Sequence, residues 1–384
     1  MEADRDYFRN PCRADLGGHI HSLTALRAVA AYLVVFSHCR RLVETNYFGE
    51  VAYWSPLSLI DAGTFGVVLF FALSGCTVYL SYGCQPTTPD NVARFLIRRF
   101  FRVYPAFVAS LLIYAVLDVA VRNVVGFPES SWIGTFGKIA DARIVGEYLS
   151  FSFNLFGHMD YFNNAYWSLP VEFQFYLLFP AFVVLLRIYP LALLLTAISL
   201  FAVNSVLKIQ FLTFELAWQF AAGIAVAWFL QCTRLRLPNS MLLIACAVLL
   251  VTALALSLYH RRLYYPPGMS DWTYLGVLAF PIVYLTALIA PPRNHIGHTI
   301  LCSLVRQGEC SYSAYLYHNA FLVLGYLLIK EFQLAGALRE VVIYPLVLTG
   351  TYVTSHLSFR IVEQPGIHLG RRLSAMIGCY RGPA

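Results

Sequence analysis

Ten times along this chain a run of about 17–23 mostly apolar residues recurs, each long enough to cross a bilayer as a helix. The runs lie near 24–42, 58–80, 104–121, 172–189, 191–207, 213–230, 240–258, 272–290, 312–330 and 341–361. In lipid no water can satisfy backbone N–H and C=O groups, so segments of this length fold as α-helices. The pattern predicts an all-α, polytopic integral membrane protein with about ten transmembrane helices and both termini on one side. Composition leads to the same class. Only 12% of the 384 residues are charged, against roughly 25% in a soluble domain, and the mean hydropathy is +0.64.

Charge orients the spans. With the N-terminus inside, Arg94, Arg98, Arg99, Arg102, Arg187, Arg234 and Arg236 fall on inner segments near the ends of the early spans. That bias favours cytoplasmic termini. The same arginine excess accounts for the net charge of +7 and calls for no nucleic-acid partner. The N-terminal stretch MEADRDYFRNPCRADLGGH has no apolar core or cleavage site of a signal peptide, so the first run is expected to stay as a helix. By parity the segment 122–171, roughly fifty residues rich in Trp, Phe, Gly and Asn, is an extracytoplasmic loop, and loops that long usually carry function or are disordered. The nine cysteines are scattered, never spaced as CxxC, and support neither a disulfide framework nor a metal site. No repeat or low-complexity tract interrupts the chain. A single membrane domain over 1–384 is expected, with a core at about 20–365, short polar tails and no appended soluble domain.

Against this apolar background the ionisable residues stand out, because burying them in a membrane is costly. ALRAVAAYLVVFSHC (25–39) carries Arg27 and His38. Eleven residues at about 100° each make three turns plus roughly 20°, so the two side chains share a helix face about 16 Å apart along the axis. Alone, Arg27 could reach the headgroups and His38 could be a packed histidine. Together they suggest polar groups lining a cavity, with a histidine suited to act as base near neutral pH. GTFGVVLFFALSGC (63–76) is dense in small residues, which permit close helix packing and also a cavity wall. RFLIRRFFRVYP (94–105) places Arg98 and Arg102 at i, i+4 and Arg99 and Arg102 at i, i+3. These arginines either anchor a span at the headgroups or hold the phosphates of a cytosolic ligand, whose oxygens match guanidinium forks.

In NNAYWSLPVEFQFYLLFP (163–180), Glu172 stands near a helix start, where it could cap the helix, orient a histidine or bind a sugar hydroxyl. In GECSYSAYLYHNAF (308–321), His318 sits in an aromatic helix and by itself reads as a core histidine. FRIVEQP (359–365) offers Arg360 and Glu363 at i, i+3, which suits a salt bridge at a helix end.

The order LTALRAVAAYLVVFSH, GVVLFFALSG, RRFFRVYP, WSLPVEFQFYLLFP, SYSAYLYH and VEQP resembles the acyltransferase family 3 membrane proteins over about residues 20–365. The family's arginine–ten residues–histidine signature falls on Arg27 and His38, its R-x-x-R element on Arg99 and Arg102 with Arg98 beside them, and its W-S-L-x-x-E block on Trp167, Ser168, Leu169 and Glu172. The late S-Y-x-x-Y-L-x-H block falls on Ser311, Tyr312, Tyr315, Leu316 and His318. The resemblance implies a multi-pass enzyme of the bacterial inner membrane. It would move an acyl group, usually acetyl from acetyl-CoA, onto a hydroxyl of a surface polysaccharide, lipopolysaccharide or glycolipid.

Transposed to this chain, Arg98, Arg99 and Arg102 would hold the phosphates of acyl-CoA and His318 would touch its thioester end. His38 would be the catalytic base or carry a covalent acyl group, Arg27 would line the acyl path, and Glu172 would sit at the outer mouth near acceptor or imidazole. No metal is implied. Polysaccharide-biosynthesis proteins are conceivable partners in the membrane. A transporter or flippase of glycolipids is the competing class, without acyl transfer; against it, the chain lacks paired half-sequences. The membrane-bound O-acyltransferase family also uses an intramembrane histidine, but His318-Asn319 does not sit in its pattern.

Overall fold

A run that must hide its own backbone polar groups has the helix as its local solution, and each of the ten apolar runs lies in or across one. The structure, a computed structural model, describes residues 17–44, 55–83, 85–125, 142–158, 162–207, 212–232, 237–262, 271–292 and 294–377. Among the described residues there are thirteen α-helices and no strand: α1 (Gly17–Glu44), α2 (Gly63–Tyr82), α3 (Pro89–Val125), α4 (Ala142–Leu149), α5 (Ser168–Ile188), α6 (Pro190–Leu207), α7 (Leu212–Cys232), α8 (Asn239–Arg262), α9 (Asp271–Leu288), α10 (His295–Glu309), α11 (Ser311–Glu331), α12 (Ala337–Ser358) and α13 (Gln364–Met376). A five-residue π-turn, Phe359–Glu363, joins the last two.

Six of these helices, α1, α2, α3, α5, α7 and α8, contain spans long and apolar enough to cross a membrane. In α6 and α9 the apolar stretches are shorter. The burial pattern is inverted relative to a water-soluble protein. Helix α8 is among the most apolar, yet only 11% of its span is buried, with Leu243, Ile244, Val248 and Val251 exposed. Such a surface calls for lipid as its solvent.

The most buried span is α2, at 83%, and its small residues are the reason. A Cβ on Gly75 would stand 2.1 Å from the Phe220 carbonyl oxygen of α7, and one on Gly223 of α7 would stand 2.1 Å from the Ala72 oxygen of α2. The two backbones therefore touch through reciprocal glycines, the small-residue packing that replaces hydrophobic drive in a membrane. Helix α1 covers another side of α2, and beyond it α11 runs alongside α1.

Two expectations from the sequence change here. The segment expected as an outer loop is partly interior. Tyr148, Phe153, Phe162, Asn163 and Tyr166 are buried, and Phe151 stacks on Phe107 of α3 at 4.5 Å between centroids. Aromatic side chains make this stretch part of the core, and it delivers the start of α5 deep into the bundle. The basic tail is likewise structured: α13 packs along α3, which at 1.5 Å per residue is about 55 Å long and exceeds the roughly 30 Å apolar thickness of a bilayer.

Candidate active site

Arg27 and His38 do face one neighbour, α11, at two different heights. At the Arg27 end, a narrow cavity lies between α1, α2, α5 and α11. Its polar lining is Arg27, Ser168, Glu172, Ser311 and Tyr315, against the apolar wall of Phe70 and Phe71. The Glu172 carboxylate reaches across to α2. Its Oε1 accepts from Ser74 Oγ at 3.0 Å and from the Tyr176 hydroxyl one turn further along α5. Ser168 Oγ and the Tyr315 hydroxyl lie 2.8 Å apart, and Tyr315 donates to the Ala165 carbonyl at 2.6 Å.

The structure thus sets Glu172 beside Arg27, not at a mouth near His38. Arg99, Arg102 and Glu172 all act electrostatically on Arg27. Counting spans misplaces Glu172 because the inward-folded segment before α5 starts that helix deep. Nor does Glu172 cap a helix: α5 begins at Ser168 and has no acidic residue in its first turn.

The arginines of α3 divide by face. Arg98 Nε donates to Ser374 Oγ of α13 at 2.8 Å, and Arg94 Nε donates to the Ile377 carbonyl at 3.1 Å, where the C-terminal end of α13 favours a cation. Arg98 thus spends its Nε on α13, and it does not line the cavity at Arg27. Arg99 donates to Ser81 Oγ at 3.2 Å and holds its guanidinium 5.6 Å from the Tyr176 ring centroid. Arg102 is half-buried and makes no hydrogen bond or ion pair with a described residue. A half-buried guanidinium without a partner suits an anionic ligand.

Eleven residues along α1, His38 Nδ1 lies 2.8 Å from His318 Nε2, with the rings 13° from parallel. His318 is fully buried, and its Nδ1 lies 2.8 Å from the Tyr315 carbonyl oxygen. A carbonyl only accepts, so His318 carries its proton on Nδ1 and, when neutral, accepts on Nε2. The proton between the rings then belongs to His38 Nδ1. What remains is the lone pair of His38 Nε2, which has no hydrogen bond among the described residues, on a side chain that is only half-buried. Both nitrogens of His318 are thus engaged, one with the Tyr315 carbonyl and one with His38.

Glu363 was not singled out as a site residue. It is fully buried, and its Oε1 accepts from the Ser313 backbone N–H at 3.1 Å and from Ser313 Oγ at the start of α11. Its partner is not Arg360, which is exposed. Arg102 and Arg27 both act on it electrostatically. One signal in the sequence was available: a carboxylate two residues before a proline, just past the end of the last apolar run. Tyr176 could have been found from its i+4 spacing to Glu172. Ser74 and Ser313 carried no local signal.

Comparison with known proteins follows the same lines. The acyltransferase family 3 model, described as an acyltransferase domain, matches residues 20–356. BcsY of Komagataeibacter xylinus, whose name describes a membrane-bound transacylase, is 27% identical over 96% of this chain and 86% of its own. The peptidoglycan O-acetyltransferase OatA of Listeria monocytogenes is 24% identical over 90% of this chain, which spans 56% of that longer protein. The acyltransferase MdmB of Streptomyces mycarofaciens is 29% identical over 79% of each chain. No solved structure matches the chain significantly.

Proposed function

The chain belongs to acyltransferase family 3, and from that premise we propose that it carries acyl groups, acetyl first among them, from acyl-CoA across the bacterial inner membrane to a hydroxyl of a surface polysaccharide, lipopolysaccharide or glycolipid. The names of its O-acetyltransferase relatives support the choice of acetyl and of an oxygen acceptor. In this reading all ten apolar runs cross the membrane, both termini are cytoplasmic, and the Arg27 end faces the cytosol. Polysaccharide-biosynthesis proteins would then present the acceptor at the other face.

The observation that carries the reading is the tether His38–His318–Tyr315, which leaves one lone pair, His38 Nε2, without a hydrogen bond among the described residues. Arg99, together with Arg102, which has no hydrogen bond to a described residue, receives the donor's phosphates. The thioester arm extends past Arg27 towards His38, about 16 Å higher on the same helix face. The acceptor oxygen attacks the thioester carbonyl carbon while His38 Nε2 takes the hydroxyl proton. The C–S bond breaks, and the imidazolium returns that proton to the thiolate sulfur, so the products are an O-acyl ester and the free CoA thiol. While His38 is charged, its Nδ1–H bond to neutral His318 spreads the charge. General-base help of this kind typically contributes 10²–10⁴-fold.

Membrane vesicles supplied with labelled acetyl-CoA test the assignment. Label should reach a glycan or glycolipid with the unmodified chain and fail to do so with His38→Ala at matched expression. Transfer that survives the substitution removes His38 from the chemistry.

A further inference from the structure

The cavity at the Arg27 end is left unfinished by the protein itself. Ser311 is 1% exposed and lines the cavity, and its Oγ has no hydrogen-bond partner. Arg27 lines the same cavity, and its Nε is also without a partner. Glu172 lines it too and spends Oε1 on Ser74 and Tyr176, while Oε2 takes part in neither bond. Buried polar atoms almost always find a partner, so a convergence of unpaired donors beside a spare carboxylate oxygen points to a bound group that supplies the missing bonds.

Charge narrows the group. One guanidinium and one carboxylate leave the lining without net charge, and Phe70 and Phe71 make its wall apolar. A phosphate here would meet the Glu172 charge at close range, whereas Arg99 and Arg102 offer two cations on the adjoining helix. A neutral amide fits both signs. Its carbonyl accepts from Arg27 Nε–H and Ser311 Oγ–H, and its N–H donates to a carboxylate. The arm between the phosphates and the sulfur of a CoA thioester carries two amides.

We propose that this cavity is the subsite for the amide-bearing arm of the donor, with Arg27 and Ser311 on an amide carbonyl and Glu172 on an amide N–H. The phosphates stay on Arg99 and Arg102. The assignment rests on the acyl-CoA reading above, and it makes Ser311 a determinant of donor recognition.

Calorimetric titration of the purified full chain in detergent separates the two regions of the donor. Coenzyme A carries phosphates and arm; 3′-phosphoadenosine 5′-diphosphate keeps the phosphates and lacks the arm. Their affinity ratio reports the contribution of the arm. Ser311→Ala should lower that ratio about threefold to tenfold, the effect of one neutral hydrogen bond. Arg99→Ala should weaken both ligands alike. Because the Ser311 hydroxyl has no partner in the fold, removing it leaves the helix contacts intact. An unchanged ratio in Ser311→Ala would mean that the cavity holds only water and would overturn the subsite. An equal loss for both ligands would assign Ser311 to the phosphates and overturn it as well. If the unmodified chain does not bind coenzyme A, the donor reading itself fails and the subsite with it; binding with an unchanged ratio sinks the subsite alone.

Discussion

Replacing His318 by leucine removes both hydrogen bonds of the tether, the one from His38 and the one to the Tyr315 carbonyl. The Nδ1–H of His38, now facing the 2.8 Å acceptor Nε2 of His318, would have no partner on that side. Two effects follow. First, the neutral imidazole is free to move its proton to Nε2, the nitrogen that must be bare to act as a base. Second, the protonated imidazole of the transition state loses a charge-assisted hydrogen bond worth about 1.5–3 kcal/mol. At about 1.4 kcal/mol per decade, kcat should fall roughly 10- to 150-fold, while the KM for acyl-CoA holds. His318→Gln is the informative companion, since its side-chain oxygen lies near the position of the imidazole Nε2 and accepts from His38. It should recover much of the loss. The assay is initial-rate transfer of labelled acetyl into membrane acceptor at saturating donor, with protein amount checked by immunoblot. A leucine variant with unaltered kcat, or one whose defect lies in the donor KM, would refute the orienting role and return His318 to the donor contact expected from its motif.

Three further outcomes are open to measurement. Arg99→Ala and Arg102→Ala should each raise the KM for acyl-CoA several-fold more than Arg98→Ala, whose guanidinium is bound to Ser374; equal effects would show that the faces of α3 are not distinguished. Glu363→Ala strips the Ser313 N–H and hydroxyl of their carboxylate acceptor and should destabilise the chain by about 2–4 kcal/mol, visible as a lower unfolding midpoint in detergent, whereas a midpoint within a degree would deny that bond a structural role. Gly308→Ala places a Cβ 1.8 Å from the Thr24 carbonyl oxygen of α1, so α10 must shift and the yield of monodisperse protein should drop; an unaffected elution profile would contradict that contact.

The parts of this design that a reader of the sequence can reach are those set by local geometry. Helical spacing alone puts Arg27 and His38 on one face, and the structure turns both towards α11. Hydrophobic length alone finds the long apolar helices, though not α4, α10 or α13. What spacing cannot reveal is which neighbour a polar side chain meets. His38 and His318 are 280 residues apart in sequence, so their pairing has no local trace. For the same reason the choice between Arg98 and Arg99 as partners of Arg102 could not be made in advance: both are neighbours on a helix, and α13, which claims Arg98, looked like a tail. Glu172 was misplaced for a different reason. Parity assumes that each loop stays outside the bundle, and here Phe151, Phe153 and Tyr166 draw the preceding segment inward.

Among the described residues no carboxylate bonds His38; its partner is the imidazole of His318. A catalytic histidine is commonly oriented by a carboxylate, but Glu44 and Asp61 near the His38 end are paired with Arg40, which leaves Glu172 and Glu363. Both instead lie at the end where Arg27 and Arg102 feel their charge, and a neutral imidazole holds His38. In a site of low dielectric, a carboxylate against His38 would favour the imidazolium and withhold the lone pair that the reaction uses. A neutral partner orients the ring without charging it. In the proposed reaction the two ends, about 16 Å apart, would divide the work: the Arg27 end would bind the polyanion, the His38 end, where Arg40 and Arg41 act on the imidazole, would keep the base unprotonated, and the uncharged arm of the donor would span the distance between them.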